Sequence, residues 1–486
     1  MSKQGELEEL MEIAKRRGFF WPSFSIYGGF SGLNDYGPLG SVLKNRVYEK
    51  WKRAFASVGG IEIDTPNLTP EVVLKASGHI EKFLDIAAEC GSCKNRFKLE
   101  NILSDAGYEI VPESVEEGEK LLSDHILKCP RCGARLEKVF EFHLMFKTES
   151  GSENYFLRPE TAQGIFVNFK LLLNYNKGKL PLIVYQQGKG YRNEIAPRQG
   201  LIRQREFNMA EAEVFLPEEG SEIFAPSGNR EVQLLDKYGK THTIDLSQAV
   251  GKGVIKSAEH AFFMELILSF AIDVGIDETR LRFRQHRADE LAHYSSECWD
   301  LEFNMEGSWL EITGISDRGT YDLTRHMEKS GENLTYEGNQ IARVIEPATG
   351  VDRVIVSILL SSMSKRDSGY NVMKLPAPMA PYRIAVLPLQ KKDGLSEKTQ
   401  EIFKRLRSME PYTVYDESGT IGRRYARQDE IGTPYCITVD YETLEKNMVT
   451  IRERNSTVQI KNIDVELLFS HPDFLSNPIL DQFDSQ

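Results

Sequence analysis

YRNEIAPRQGLIRQREF, residues 191–207, sets four arginines within seventeen positions of a 486-residue chain whose formal net charge is −12. The runs on either side, PLIVYQQGKG (181–190) and NMAEAEVF (208–215), are rich in β-branched and aromatic residues, and Pro197 and Gly200 are turn formers. The stretch therefore predicts a long antiparallel hairpin closed by IAPRQG. Strand side chains alternate faces, which puts Arg192 with Glu194 on one strand and Arg203, Arg205, Phe207, Met209 and Glu211 together on the other. If both sets face inward, guanidinium forks, an aromatic plate and a carboxylate meet one ligand. Arginine grips phosphate oxygens bidentately and keeps its charge, and an aromatic ring stacks on a purine, so the matching ligand is a nucleotide. From this stretch alone, a solvated edge hairpin with Arg–Glu pairs is the other reading.

Three further segments bear on the choice. IEIDTPNLTPEVVLKASGH (61–79) predicts a strand ending at Pro66, and LRPETAQG (157–164) places an arginine and a glutamate around a proline. VIEPATGVDRVIVSILLSSM (344–363) runs from a strand into a helix with an apolar stripe of Val351, Val354, Ile355, Ile358 and Leu359. Arg353 lies off that stripe in the first turn, where a helix start already favours anions.

Working outward, KLPAPMAP (374–381) carries three prolines and reads as a stiff linker. Before it, strands such as RLRFRQH and WDLEFN follow one another without helical crossovers, which predicts an α+β antiparallel sheet. After it, YRIAVLPL, SEKTQEIFKRLRSM, YTVYD, IGRRYARQDEIG and YCITVD alternate strand with helix, a small, largely parallel α/β domain over 381–486. The acidic balance excludes a general basic coat for nucleic acid, so any polyanion is held by local patches. No apolar run spans a bilayer, and the polar start MSKQGELEELMEIAKRRG, with Leu7, Leu10, Met11 and Ala14 at helical spacing, lacks a secretory core. A cytoplasmic location is expected.

Cys90 and Cys93 in ECGSCKNRF, and Cys129 and Cys132 in KCPRCGARL, form two C-x-x-C pairs. Four thiolates fit a closed tetrahedral Zn²⁺ site inside an inserted subdomain of about 88–146, with reduced, metal-free packing as the alternative. Cys298 and Cys436 read as packed thiols, and no role is assigned to His79, His286 or His293. A second insertion, about 220–256, suggests no function.

The segment at Pro66, the Y-R-x-E hairpin and the G-V-D-R helix start resemble motifs 1, 2 and 3 of class II aminoacyl-tRNA synthetases. IYGGFSGLNDYGPLG (26–40), LKASGH, LRPETAQG, the 191–207 string, RFRQHRADELAHYSSECWD (282–300), VIEPATGVDR and DESGTIGRRYARQDEIGTPYCITVD (416–440) look like the homodimeric glycyl type, across nearly the whole chain. The resemblance implies a catalytic core over 1–375, an anticodon-binding domain over 376–486, a homodimer, and ligation of glycine to tRNA(Gly) using ATP with Mg²⁺.

It further implies that Arg192, Asn193 and Glu194 meet ATP, Arg192 holding the α-phosphate and the glycine carbonyl side. Ile202, Arg203, Gln204, Arg205, Glu206 and Phe207 would close over ATP, Phe207 stacking on adenine. Glu311 and Ile312 match ATP- and magnesium-side positions, and Gly350, Val351, Asp352 and Arg353 complete the nucleotide site, with Arg192, Glu311 and Arg353 as the catalytic set. Glycine would contact Arg96, Glu160, the run Phe207, Asn208, Met209, Ala210 and Glu211, and the run Glu346, Pro347, Ala348, Thr349 and Gly350. Glu160, Glu211 and Glu346 match the carboxylates around its ammonium. Since no amino acid is smaller than glycine, a filled pocket rejects competitors by overlap, and no editing domain is expected. The family usually has Ser where this chain has Ala348, which leaves Thr349 as a possible substitute hydroxyl. A synthetase for threonine, proline, serine or histidine, or a non-catalytic paralogue, are the alternatives. Arg423, Arg424, Tyr425 and Arg427 are candidates for anticodon contact.

Overall fold

The computed structural model describes residues 5–470 except 109, 196, 198, 199, 219, 222, 229 and 293. Three positions of the predicted hairpin turn, His293 and the last sixteen residues of the expected anticodon-binding domain therefore lie outside the described residues.

A nine-stranded sheet forms the centre. Its order is Thr241–Asp245, Glu231–Leu235, Leu281–Gln285, Glu297–Met305, Ser308–Gly319, Arg343–Gly350, Glu206–Leu216, Leu182–Tyr191 and Ile61–Glu62. Pairing is antiparallel except for Leu182–Tyr191 with Ile61–Glu62 and Glu231–Leu235 with Leu281–Gln285. Helices Pro38–Ser57, Ala258–Asp273 and Val351–Ser362 contribute Leu43, Val47, Trp51, Phe55, Phe263, Ile267, Val354, Ile355 and Ile358 to the core against the sheet. Alternation then sorts the strand Glu206–Leu216: Ala210, Ala212 and Val214 enter this core, while Phe207, Met209 and Glu211 line a cleft on the other face.

The hairpin is shorter than its sequence suggests. Its ladder runs from Leu182↔Phe215 to Tyr191↔Glu206, and a last bond from Arg192 N to Arg205 O (2.9 Å) closes it. Beyond that point the chain leaves the sheet, turning through Gly200–Ile202, where Leu201 and Ile202 are buried and Gly200 takes φ +61°. Arg203 and Arg205 thus stand on a loop, and the expected shared face begins only at Phe207. The segment 61–79 is likewise more broken than predicted. Only Ile61–Glu62 and Leu68–Pro70 are extended, and Glu71–Ala76 is helical, because Pro66 and Pro70 lack the N–H a continuing ladder needs.

The cysteine-bearing insertion folds on its own small core of Ala88, Phe97, Leu99, Leu103, Leu122, Leu136 and Val139, under a three-stranded sheet of Arg96–Lys98, Leu84–Cys90 and Leu136–His143. The second insertion adds the hairpin Glu231–Leu235/Thr241–Asp245 to the edge of the central sheet.

Beyond residue 381, five strands lie in the order Thr413–Tyr415, Ile384–Pro388, Tyr435–Val439, Met448–Glu453 and Gln459–Asp464. The first three are parallel and the last two antiparallel, so the expected parallel sheet is mixed. Residues 374–381 do not act as an exposed spacer. Leu375, Met379 and Ala380 are fully buried, and Arg454 donates to the Leu375 carbonyl (2.6 Å). Arg366 and Arg452 both hold Asp429, tying the two parts together. Among the described residues, no helix is long and apolar enough to cross a membrane.

Candidate active site

A cleft opens on the opposite face of the sheet, beside the part covered by helices Ala162–Phe166 and Phe169–Tyr175, where the hairpin, Ser308–Gly319, Arg343–Gly350 and the start of Val351–Ser362 meet. It gathers Arg192, Glu194, Ile202, Arg203, Gln204, Phe207, Asn208, Met209, Glu211, Glu311, Ile312, Ala348, Thr349, Gly350, Asp352 and Arg353. The Arg192 guanidinium lies between the rings of Phe83 and Phe207, 5.3 Å from each centroid, and donates to the Pro159 carbonyl (3.4 Å). Gly190 makes room for that stack, since a Cβ there would fall 2.6 Å from the Phe207 ring. Across the cleft Arg353 Nη1 donates to the Glu311 carbonyl (2.9 Å) and carboxylate (3.2 Å), and Nε donates to the Ile202 carbonyl (3.2 Å). Two guanidinium groups, an aromatic ring and a carboxylate thus line one cleft, a set suited to a polyphosphate bearing a planar base.

Several predicted contact residues also build the frame of the cleft. Asp352 is buried and accepts from Asn208 N (2.7 Å), Asn208 Nδ2 (2.8 Å), Gln204 Nε2 (2.8 Å) and the Tyr36 hydroxyl. Val351 is fully buried beneath it, and Ala210 belongs to the helix-side core. Pro347 is buried, opposite Ile315. The Thr349 hydroxyl is engaged by Trp51 Nε1 (3.1 Å) and Thr313 Oγ1 (3.1 Å), so it does not stand in for a hydroxyl at Ala348. Arg205 donates to the carbonyls of Glu194 (3.2 Å) and Ser31 (3.2 Å), Glu206 pairs with Lys189 (3.0 Å), and Asn193 donates from its backbone to Leu144 O (2.6 Å). Arg96 is outside the cleft lining: it pairs with Glu89 (3.1 Å) and stacks on Phe140.

Behind Glu211, two of the three predicted carboxylates, Glu160 and Glu346, flank an arginine that the sequence reading missed. Arg318, 1% exposed, donates from Nη1 to both oxygens of Glu346 (2.9 Å each) and from Nε and Nη2 to Asp322 (2.7 and 2.8 Å), and lies 3.9 Å from Glu160. Tyr294 stacks over it at 3.8 Å. Gln163 donates to Glu160 (2.9 Å) and Asp322 (3.0 Å), His79 stands 3.4 Å from Glu160, and Glu211 accepts from the backbone N–H of Thr161 (2.5 Å) and from its hydroxyl. The available signal was DRGTYD, one residue after WLEITGI, which sets Arg318 and Asp322 four residues apart.

Charge is unevenly shared in this cluster. Burial opposes ionisation of Glu160, but His79 and then Arg318 outweigh it and hold that carboxyl low. Burial, then Glu160, raises Glu211. Burial pushes Glu346 up to about 8, with Glu160 and Glu211 adding to it against Arg318. Glu213, two residues beyond Glu211, is fully buried with neither oxygen hydrogen-bonded, and burial raises it well above the carboxylate range. A small cation entering beside Glu211 meets carboxylates that a single guanidinium does not neutralise.

The four cysteines of the insertion converge, with Sγ–Sγ distances of 3.5 Å (Cys90–Cys132) and 3.6 Å (Cys93–Cys129). A tetrahedron with Zn–S of about 2.3 Å has edges near ~3.8 Å, so the set fits Zn²⁺. Hydrogen bonds from Asn95, backbone first and then side chain, draw the Cys93 thiol down to about 6.

The sequence is 38% identical to a glycine–tRNA ligase of Thermococcus gammatolerans over 94% of this chain and 96% of that one, and 37% identical to one of Pyrococcus horikoshii over 94% and 97%. This chain belongs to the glycine–tRNA ligase family. The profile "tRNA synthetase class II core domain (G, H, P, S and T)" matches residues 145–362, and "Anticodon binding domain" matches 383–470. Membership of the family accounts for the fold seen in a prolyl-tRNA synthetase of Giardia lamblia, which superposes with a TM-score of 0.61 at 16% identity over 99% of this chain and 80% of the other. The alignments to its family relatives run over 553 and 552 positions against a chain of 486, so those relatives carry insertions that it lacks.

In the C-terminal sheet domain, Arg424 is corrected from candidate contact to scaffold. It is 1% exposed and donates to the carbonyls of Pro388, Glu417 and Gly419. Arg427 pairs with Asp416 and Tyr425 with Thr438, which leaves Arg423 exposed on the helix Ile421–Ile431.

Proposed function

We propose that the cleft forms glycyl-adenylate from glycine and ATP and passes the glycyl group to the 3′ end of tRNA(Gly). The observation that carries this reading is one cleft lined by Arg192, Arg353, Phe207 and Glu211, with Glu211 electrostatically tied to the buried Glu160 and Glu346. Adenine stacks on Phe207 with Arg353 over its other face, and Glu194 meets the adenine amino group. Arg203 takes the outer phosphates, and Arg192 bridges the α-phosphate and the glycine carboxylate. Glu311, on the cleft wall, holds the Mg²⁺ that accompanies ATP, an ion that neutralises phosphate charge.

The glycine carboxylate attacks the α-phosphorus in line, pyrophosphate departs, and a terminal ribose hydroxyl then takes the acyl group with release of AMP. The protein's contribution is positioning and charge stabilisation, with no covalent intermediate on a side chain. The ammonium is selected by the carboxylates and the Cα by lack of space beside Met209 and Ala348.

Residues 1–375 form the catalytic core and 376–486 the anticodon-binding domain in this reading. The four cysteines hold a structural Zn²⁺ in the 88–146 insertion, and the enzyme works as a cytoplasmic homodimer. Exchange of radiolabelled pyrophosphate into ATP, measured with a panel of amino acids, tests the proposal: glycine alone should support exchange, and exchange driven by threonine or proline instead would refute it.

A further inference from the structure

Cys298, a packed thiol by sequence, has chemically distinct neighbours. The His286 N–H donates to the Cys298 carbonyl (3.0 Å), so the two residues stand opposite one another where the pairing of Leu281–Gln285 with Glu297–Met305 continues by one residue. Asp300 lies two residues beyond Cys298 on the same face. His286 Nε2 is 2.7 Å from Asp300 Oδ2, Cys298 Sγ is 3.9 Å from Asp300 Oδ1, and one ligand atom from each of the three lies within 4.8 Å of the other two. The next strand places Ser316 opposite Cys298, and its hydroxyl donates to Sγ at 3.2 Å. Arg284 supports Asp300 from the neighbouring position (3.3 Å). The second ring nitrogen of His286 is buried without a hydrogen-bond partner. None of these groups has a task in glycine activation.

We propose that His286, Cys298 and Asp300 form a second metal site, for a Zn²⁺-class ion, distinct from the four-cysteine cluster. Thiolate and imidazole select a borderline-soft transition ion over Mg²⁺ or Ca²⁺. Three protein ligands leave a fourth position for water or a solute, unlike the closed four-sulfur set. Cys298 and Asp300 are buried, His286 is partly exposed, and Asp300 borders a second cleft that shares Arg203, Glu311 and Arg353 with the nucleotide cleft, which gives an ion a route to the set. The Ser316 hydroxyl supplies the hydrogen bond that a metal-bound thiolate accepts, and Arg284 orients the carboxylate. Entry of the ion replaces the His286–Asp300 hydrogen bond and releases the thiol proton to solvent, while the imidazole binds through Nε2 as the neutral ring with its N–H on Nδ1.

Titration of chelator-stripped full-length protein with Co²⁺, followed by visible absorption, tests the site in wild type, Cys298→Ser and His286→Gln. Wild type should take up about one equivalent more than either variant, while the intense bands of the four-sulfur centre persist unchanged and report that the variants are folded. If the four-sulfur centre takes no Co²⁺ in any of the proteins, the single remaining wild-type equivalent should vanish in both variants. Equal uptake by wild type and Cys298→Ser, with the same spectrum, would overturn the assignment. The readout is metal stoichiometry, so it is independent of whether the chain ligates glycine.

Discussion

Replacing Arg318 by Leu removes the one guanidinium that sits among Glu160, Glu346 and Asp322 while nearly conserving volume. Arg318 and these partners are buried, so water cannot take its place. Breaking a buried ion pair from one side costs about 3–5 kcal/mol, and three partners put this site at the upper end. Against a typical total of roughly 5–15 kcal/mol, that is a large fraction. The pH dependence has a definite sign. Glu346 is already pushed up to about 8 in the presence of Arg318, and losing the cation raises it further. A group whose folded value lies above its unfolded one contributes stability at low pH and loses it as pH rises through the folded value. The variant should therefore be closest to wild type in mild acid, where the carboxyls take up protons, and fall away as pH climbs through about 8. Urea unfolding at pH 6 and pH 9 measures this, with Arg318→Lys recovering part of the loss. A difference below about 1 kcal/mol, or one that grows toward acid, would show that the cluster is not balanced by Arg318.

Arg192→Ala should lower pyrophosphate exchange at least ~10²-fold with unfolding unchanged, since it removes a charge that acts on the reacting phosphate; loss of thermal stability instead would make it a packing residue between Phe83 and Phe207. Ala348→Ser should lower the KM for glycine several-fold, the worth of one hydrogen bond of about 1 kcal/mol, because Thr349 is already engaged by Trp51; an unchanged KM would show that the hydroxyl does not reach the substrate. Purified protein should contain about one equivalent of zinc at the four cysteines, and Cys93→Ser should lose it and weaken ATP use through the Asn193–Leu144 link to the insertion; under 0.2 equivalents in wild type would sink this. The KM for glycine should fall as pH rises through about 8, because the ammonium prefers an ionised Glu346; a flat profile would place that carboxylate outside recognition.

The strands of the central sheet were legible because alternation is a local property, and the two C-x-x-C pairs were legible because two short, equally spaced pairs stand out in a chain of six cysteines, and their thiols do converge. The loop at Gly200–Ile202 was not: IRQREF alternates as well as any strand, and only the lack of a partner beyond Tyr191↔Glu206 ends the ladder. Arg318 escaped notice because a charged residue at a strand end looks solvated until the three carboxylates around it are known. Arg424 erred in the opposite direction, since its helix reads as a basic surface while its guanidinium caps buried carbonyls. Residues 374–381 looked like a spacer from their prolines, yet Leu375, Met379 and Ala380 sit in the core.

The Asp352 carboxylate accepts four hydrogen bonds, which fills its lone-pair capacity. Its donors come from two separate stretches of chain, one at Tyr36 and one at Gln204 and Asn208, and Asn34 adds bonds to Gly200 and Gln204. The loop at Gly200–Ile202 and the N-terminal segment are therefore tied to one another through this carboxylate and Asn34. Lifting Gln204 takes away one of the four bonds to Asp352 and one from Asn34, while Tyr36 and Asn208 keep the other three, so the carboxylate acts as a peg that joins the loop to the N-terminal segment.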